Sequence, residues 1–180
     1  FWSSKIKWFA KSSGTTNAQS KFSPVSNESL EDCHYAAGKD LLCMYLSNNP
    51  NSQLFTGKSL RLGGSKTPYE KNGTFYGDLS AILIDNMPFW AEFSSTPSNK
   101  TSLMEDWDYK MVAIINETLN ENVTSLAGVP SWMLVLLNKI LKESKKEYIS
   151  EIWPNLEVYF HGGVSFKPYL NQYDAIINKD

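Results

Sequence analysis

The stretch from Lys11 to Lys21 has the residue types that bind phosphate. It holds several Ser and Thr hydroxyls around Gly14, a lysine at each end and no large apolar side chain. Successive backbone N–H groups in a tight turn form a concavity that favours anions, and glycine lets a ligand approach the main chain closely. Lys21 would add a mobile positive charge suited to phosphate. The composition predicts either an anion-binding loop or a solvated Ser/Thr hairpin without a ligand.

The spacing excludes the phosphate loop found in kinases and ATPases of the Walker type. That motif needs a glycine, four residues and then Gly-Lys-Ser/Thr. Here Gln19 stands five residues after Gly14, and Lys21 is followed by Phe22.

Two strand-like runs, over 6–10 and 22–25, must position this loop, and they predict a β-hairpin. A helix follows, with Ser26 or Asn27 as its N-cap and acidic residues in its first turn, as the helix dipole prefers. Its apolar residues fall on one face. A helix N-terminus directed at the loop would add positive potential to an anion site.

Two glycine turns form a second candidate site. Gly128 follows a predicted strand over 123–127, and Gly162-Gly163 follows a predicted strand over 156–160. A strand, helix and strand of this length imply parallel strands joined by a right-handed crossover. Open α/β sheets bind ligands at the carboxyl ends of such strands, where His161 also stands. Ordinary strand-to-helix turns are the alternative.

The elements around these turns predict an α/β fold with a mostly parallel sheet flanked by helices. Pro130 fits the first position of a helix that is apolar nearly all round, so we expect that helix to be buried on both sides. The preceding segment predicts a strand over 55–62, an exposed loop over 67–73, a helix over 78–86 and a long helix capped by Thr101 or Ser102.

The composition is that of a globular domain. The chain has 180 residues, of which 42% are hydrophobic and 20% charged. A net charge of −2 gives no electrostatic basis for binding nucleic acid or an anionic membrane, so phosphate binding must be local.

Cys33 and Cys43 lie on one predicted helix, ten residues or about 15 Å apart, which is too far for a disulfide. The absence of a disulfide framework and of metal-ligand spacing predicts a cytoplasmic protein without a metal site of its own.

The hydroxyl-rich loop resembles the phosphate loop of the adenylate-forming superfamily, in the order Ser12-Ser13-Gly14-Thr15-Thr16 followed by Lys21. The closer resemblance is to the bacterial branch of the auxin-responsive, or Gretchen Hagen, acyl acid–amido synthetases. Residues 60–65, 128–132 and 153–164 resemble further blocks of that family in the same order. Asn17 departs from the glycine that is usual in the superfamily, but Asn tolerates the same left-handed backbone.

The resemblance implies an ATP-dependent ligase that makes an acyl-adenylate from a carboxylic acid and passes the acyl group to an amino acid. It implies roles for three groups of residues and no protein nucleophile. The phosphates of ATP would be held by Ser12, Ser13, Gly14, Thr15, Thr16 and Lys21. The rest of the nucleotide would lie at Gly162, Gly163 and Val164. The acyl substrate would lie near Val129, Pro130, Ser131, Trp132 and His161.

The same resemblance implies parts that the sequence does not contain. These are a Tyr-x-x-Ser-Glu block whose glutamate helps to hold Mg²⁺, an aspartate that binds ribose and a small closing domain. We therefore expect a partial N-terminal domain of a longer ligase, inactive alone, with a hairpin over 1–25, helices and a strand over 26–122 and a βαβ unit over 123–180. Surface that belongs against the missing remainder could drive self-association.

Two alternatives stay open at the level of sequence. One is a non-catalytic α/β binding or interaction module that kept the fold and lost the reaction. The other is an acyl-CoA ligase, in which a thiol takes the acyl group. The partners expected for the ligase are a small carboxylic acid and an amino acid, with neither nucleic acid nor a membrane.

Overall fold

The structure is a computed structural model that describes residues 5–12, 21–64 and 69–178. Strands and helices are numbered in chain order. The strands among the described residues are β1 (Trp8–Ser12), β2 (Lys21–Val25), β3 (Lys58–Leu62), β4 (Tyr69–Lys71), β5 (Thr74–Gly77), β6 (Ser95–Thr96), β7 (Val123–Gly128) and β8 (Val158–His161).

The α-helices in the same part of the chain are α1 (Ala36–Asn48), α2 (Leu79–Asp85), α3 (Phe89–Phe93), α4 (Asn99–Ser102), α5 (Trp107–Thr118), α6 (Pro130–Ser144) and α7 (Leu170–Ile177). The chain divides into two compact units. The first combines Phe1–Ser52 with Gly64–Met87, and the second combines Gln53–Gly63 with Pro88–Asp180. The expected segments 1–25, 26–122 and 123–180 stay a prediction.

The first unit is built on a mixed sheet in the order β2-β1-β5-β4. Strands β1 and β2 pair antiparallel, from Trp8 opposite Val25 to Ser12 opposite Lys21, which confirms the predicted hairpin. Strand β1 also pairs with β5, in the parallel direction. The sheet therefore holds the amino-terminal hairpin through one of its two strands.

The exposed loop expected over 67–73 is wrong for residues 69–71, which form β4 and pair antiparallel with β5. Asn72 and Gly73, with φ of 53° and 70°, make the connecting turn. Two residues with positive φ form the tight turn whose twist matches that of a β-hairpin, and Asn-Gly is its commonest sequence.

The helix after β2 begins as predicted at Ser26, whose Oγ accepts a hydrogen bond from the Ser29 N–H at 3.1 Å. Its first part is a π-helical stretch, Ser29–Tyr35, which continues as α1. Leu30 is buried in a small core with Val25 and Ile82. Leu41 and Met44, on the predicted apolar face of α1, are 49% and 65% exposed. The pattern correctly predicts the helix, but only its beginning is buried.

The second unit is built on a sheet in the order β6-β3-β7-β8, and each neighbouring pair is parallel. This confirms the predicted α/β fold with a parallel sheet. Leu62, Gly128 and His161 lie in register across β3, β7 and β8. The carboxyl ends of three adjacent strands therefore meet at one edge.

Helices α5, α6 and α7 lie side by side along this sheet. The rings of Trp107 on α5 and Trp132 on α6 are 4.8 Å apart. The Tyr173 hydroxyl of α7 donates a hydrogen bond to the Pro130 carbonyl at the start of α6, at 2.8 Å. Apolar residues of α6 fill the core beneath, and those with no exposed surface are Met133, Leu136, Leu137 and Ile140.

Two expectations about these helices are wrong. Helix α6 is not buried on both sides, because Trp132 and Val135 are 53% and 41% exposed. The long helix expected from Thr101 is broken into α4 and α5. Asp106 restarts the chain as an N-cap, since its Oδ1 accepts a hydrogen bond from the Tyr109 N–H at 3.0 Å.

Candidate functional site

The β1–β2 hairpin brings the two ends of the hydroxyl-rich loop together. Ser12 is the last residue of β1 and lies opposite Lys21, the first residue of β2. Lys21 is exposed. Ser13, Gly14, Thr15 and Thr16 lie outside the described residues, so their role as a phosphate cradle stays a prediction.

Aromatic side chains from three strands brace the base of this hairpin. Phe9 of β1 stacks on Tyr76 of β5 with ring centroids 5.4 Å apart. Phe22 of β2 meets the same tyrosine ring edge-on at 5.2 Å. Such pairs add to the stability of the strand pairing, so the place where the loop begins and ends is fixed by packing.

Gly128, at the carboxyl end of β7, makes a close approach that a side chain would prevent. A Cβ atom there would lie 2.8 Å from the Leu62 carbonyl oxygen of β3, and the residue has φ of +157°. The Gly128 carbonyl accepts a hydrogen bond from the Tyr159 hydroxyl at 3.0 Å. The end of β7 is therefore packed against β3 on one side and hydrogen-bonded to a side chain of β8 on the other.

Gly163, after β8, lies beside Val129, after β7. A Cβ atom on Gly163 would be 3.3 Å from the Val129 Cγ2, and its φ of +82° also favours glycine. A Cβ atom on Gly162 would meet nothing within 4 Å. We call Gly128, Val129, Gly162 and Gly163 the glycine corner. It leaves backbone open to a planar ligand at the carboxyl edge of a parallel sheet.

His161 forms one side of this corner together with an aromatic cluster. Its imidazole stacks on Phe166, with ring centroids 4.6 Å apart and planes 24° from parallel. Tyr159 lies behind it, 5.6 Å away. His161 is exposed, as is Val164, so both face solvent at the rim.

The block 129–132 begins α6. Pro130 is buried at the start of the helix, Ser131 is half-buried, and Trp132 presents an exposed indole that packs on Trp107. The first N–H groups of a helix have no partner within it and carry positive potential. The corner therefore combines open backbone, an aromatic surface and the positive end of a helix.

Three residues of this edge were not singled out by the sequence. Tyr159 and Tyr173 pack against each other at 5.5 Å, and burial raises the pKa of both hydroxyls. Each hydroxyl donates a hydrogen bond to a backbone carbonyl, Tyr159 to Gly128 and Tyr173 to Pro130, so the pair fixes the main chain at this edge.

Lys110 is the third, a fully buried lysine on α5 whose Nζ donates a hydrogen bond to the Gly63 carbonyl at 2.9 Å. It lies three residues after Trp107 and four before Ile114, and so falls on the inner face of the helix. A lysine among the apolar residues of that face is the signal in the sequence that could have identified it.

The described residues contain neither a candidate metal site nor a candidate membrane span. Within residues 5–12, 21–64 and 69–178, no group of three or more His, Cys, Asp or Glu side chains could hold a metal ion. No helix in the same ranges is both long and apolar enough to cross a membrane.

The family model of the GH3 family N-terminal domain matches residues 1–180. The chain belongs to the GH3 family. This confirms the family that the sequence blocks resemble, while the bacterial branch stays a prediction. No curated protein matches the chain.

A solved structure of AtGH3.15 acyl acid amido synthetase in complex with 2,4-DB has a similar fold, with a TM-score of 0.56 and 17% sequence identity. The likeness covers 96% of this GH3-family chain and 30% of the solved one. The chain therefore spans less than a third of the length of that synthetase. At this identity the likeness concerns the fold alone.

Proposed function

We propose that this chain is part of a longer ATP-dependent ligase that joins a carboxylic acid to an amino acid through an acyl-adenylate. The observation that carries the proposal is the family match over residues 1–180. A solved protein with a similar fold is named an acyl acid amido synthetase, in agreement with this activity.

The geometry of the second unit supports a nucleotide at the glycine corner. Gly162 leaves room where a planar base can lie against the main chain, Gly163 packs beside Val129, and Val164 is 46% exposed next to them. We assign these three residues to the nucleotide. We assign the acyl substrate to the residues near the start of α6, which are Val129, Pro130, Ser131, Trp132 and His161.

The hairpin of the first unit has the donor types that polyphosphate needs. We assign the phosphates of ATP to Ser12, Ser13, Gly14, Thr15, Thr16 and Lys21. Adenylation requires stabilisation of charge on a phosphoryl centre by positioned donors and needs no protein nucleophile. Mg²⁺ would accompany ATP, and we place its ligand in the Tyr-x-x-Ser-Glu block that the resemblance implies, outside this chain.

The partners follow from the proposed reaction. They are a small carboxylic acid, an amino acid and the remainder of the same polypeptide, in the cytoplasm, with neither nucleic acid nor a membrane. Self-association of the isolated chain would follow from surface that the remainder normally covers.

The test is ATP–pyrophosphate exchange by the longer protein over a panel of carboxylic acids, followed by mass spectrometry of the product with amino acids or coenzyme A. We expect exchange that depends on the acid and an amide product. A thioester product would favour an acyl-CoA ligase. Nucleotide binding without exchange for any acid would favour a non-catalytic module and overturn the proposal.

A further inference from the structure

Two tyrosine hydroxyls bind backbone carbonyls on both sides of Val129, where α6 begins. The Tyr159 hydroxyl donates a hydrogen bond to the Gly128 carbonyl at 3.0 Å. The Tyr173 hydroxyl donates one to the Pro130 carbonyl at 2.8 Å. The two rings also pack against each other, with centroids 5.5 Å apart. We call these two residues the tyrosine pair, and through it β8 and α7 both fix the main chain around Val129.

The tyrosine pair is largely shielded from solvent. Tyr173 is 4% exposed and Tyr159 is half-buried. The ring of Phe166 packs against both, with centroids 5.0 Å and 5.9 Å away. A carbonyl that is shielded from water costs free energy when it loses its donor. Phenylalanine in place of either tyrosine would therefore remove one hydrogen bond of consequence and keep the packing of the ring.

The start of α6 is fixed in an unusual way. Its N-cap residue is Val129, whose side chain makes no capping hydrogen bond. Ser, Thr, Asp or Asn at this position would accept a hydrogen bond from an N–H group of the first turn. Here the helix start is held through the carbonyls on either side of the N-cap instead. The N-cap side chain therefore does not occupy the N–H groups that face a ligand at the corner.

Val129 also connects the start of α6 to the glycine turn after β8. A Cβ atom on Gly163 would lie 3.3 Å from the Val129 Cγ2, closer than ordinary van der Waals contact. A shift of Val129 would therefore change the space beside Gly163. Its side chain borders the turn that we assign to the nucleotide, and its backbone begins the helix that we assign to the acyl substrate.

We propose that Tyr159 and Tyr173 are positioning residues, which hold Val129 where the nucleotide and the acyl substrate bind side by side. The inference rests on the proposed function, because it concerns the same site. The two hydroxyls act through the main chain and not by contact with a substrate. Without them the start of α6 occupies the binding-competent position for a smaller fraction of the time, and the apparent affinity for substrates falls by that fraction.

Hydrogen–deuterium exchange of single amides in the 180-residue chain tests this role without catalysis. The Met133 N–H donates to the Val129 carbonyl at 3.0 Å, so its exchange reports opening of the helix start. Tyr159→Phe and Tyr173→Phe each remove one hydroxyl. We expect each variant to speed exchange of the Met133 amide by about 5-fold, which corresponds to one hydrogen bond.

Thr124→Val is the matched control for both variants. The Thr124 hydroxyl is fully buried and donates to the Leu54 carbonyl at 2.6 Å, near the other end of β7. We expect this variant to lower the stability of the whole fold and to leave Met133 exchange unchanged. Equal acceleration at Met133 in Thr124→Val and in the tyrosine variants would overturn the proposal, because the pair would then stabilise only the fold as a whole. Unchanged Met133 exchange in both tyrosine variants would overturn it as well.

Kinetics of the longer protein test the consequence for binding. We expect each tyrosine variant to raise the KM for ATP and for the carboxylic acid by about 5-fold and to change kcat by less than about twofold. Thr124→Val should leave both constants unchanged. Unchanged KM values, or a fall in kcat alone, would contradict a positioning role. If the unsubstituted protein showed no exchange with any acid, the proposed function would fail, and Met133 exchange would still decide whether the pair holds Val129.

Discussion

The glycine corner of the second unit and the hairpin of the first unit are positioned by different kinds of contact. At the corner, glycine backbone is packed against the ends of neighbouring strands, so that Gly128 leaves no room for a Cβ beside Leu62. At the hairpin, aromatic rings fix the strands, while Lys21 is exposed at the first position of β2. Substitution of the packed Gly128 should therefore damage the fold, and substitution of the exposed Lys21 should damage only binding.

Gly128→Ala should have the largest effect. The new Cβ would lie 2.8 Å from a backbone oxygen, at a φ of +157° that L-residues rarely adopt. We expect the free energy of unfolding to fall by about 2–3 kcal/mol, measured by urea denaturation. Gly162→Ala is the matched control, because its Cβ would meet nothing within 4 Å, and it should change stability by less than about 0.5 kcal/mol. Similar losses for both variants would mean that the corner is not set by packing.

Lys21→Ala should show the opposite behaviour. The side chain is exposed, so the free energy of unfolding should stay within about 0.5 kcal/mol of that of the unsubstituted protein. If Lys21 holds phosphate as proposed, ATP–pyrophosphate exchange by the longer protein should fall by at least about 100-fold, or roughly 2.7 kcal/mol. Lys39→Ala, at an exposed position of α1, should leave exchange unchanged. If Lys21→Ala leaves exchange as high as Lys39→Ala does, Lys21 does not bind the phosphates of ATP.

Much of the second unit could be predicted because its signals are local and strong. Proline at the start of a helix, apolar strands on either side and a glycine after each strand are together typical of a βαβ unit. Lys110 was missed because a lysine in a sequence is normally read as a surface residue. Its burial depends on where Gly63 lies, and that is a property of the fold.

In the first unit, local signals are weaker. The polar composition of residues 67–73 predicts a loop, although Asn-Gly between aromatic runs is also the commonest tight turn of a hairpin. The apolar pattern of α1 could not show that Leu41 and Met44 stay exposed, since spacing gives a face but not what covers it. The hydroxyl-rich loop itself is a prediction that only binding measurements can test.

Lys110→Met tests whether a buried lysine also stabilises the edge of the sheet at the corner. Methionine keeps the length of the side chain and removes the hydrogen bond to the Gly63 carbonyl. We expect a loss of about 1–2 kcal/mol by urea denaturation, because the half-buried Gly63 carbonyl loses its donor. Lys139→Met, at a partly exposed ion pair with Asp108, should cost less than about 0.5 kcal/mol. An equal loss for both variants would mean that the buried hydrogen bond of Lys110 stabilises the fold no more than an exposed ion pair does.

Among the substitutions expected to weaken the fold, the smallest change in the free energy of unfolding is expected at Glu117. This residue belongs to neither candidate site, so its substitution shows how much an exposed carboxylate contributes to stability away from both. Burial, the largest single influence, raises the pKa of this carboxyl. Hydrogen bonds from Thr101 and Ser98, helped by Lys100, outweigh it and leave the pKa below its usual value. A carboxyl with a lower pKa in the folded chain stabilises the fold above its unfolded pKa, and that contribution is lost as the pH falls through the folded pKa.

Glu117→Gln should therefore cost less than about 1 kcal/mol at pH 7, since the carboxylate is largely exposed, and the cost should fade below about pH 4. Urea denaturation at several pH values measures the difference, with Glu143→Gln on the exposed side of α6 as the control. A cost that stays constant down to pH 3 would show that the side chain acts through its shape and not its charge. Glu117 would then not measure how much a single surface carboxylate contributes to the free energy of unfolding, and the losses at the corner and the hairpin could not be compared with it.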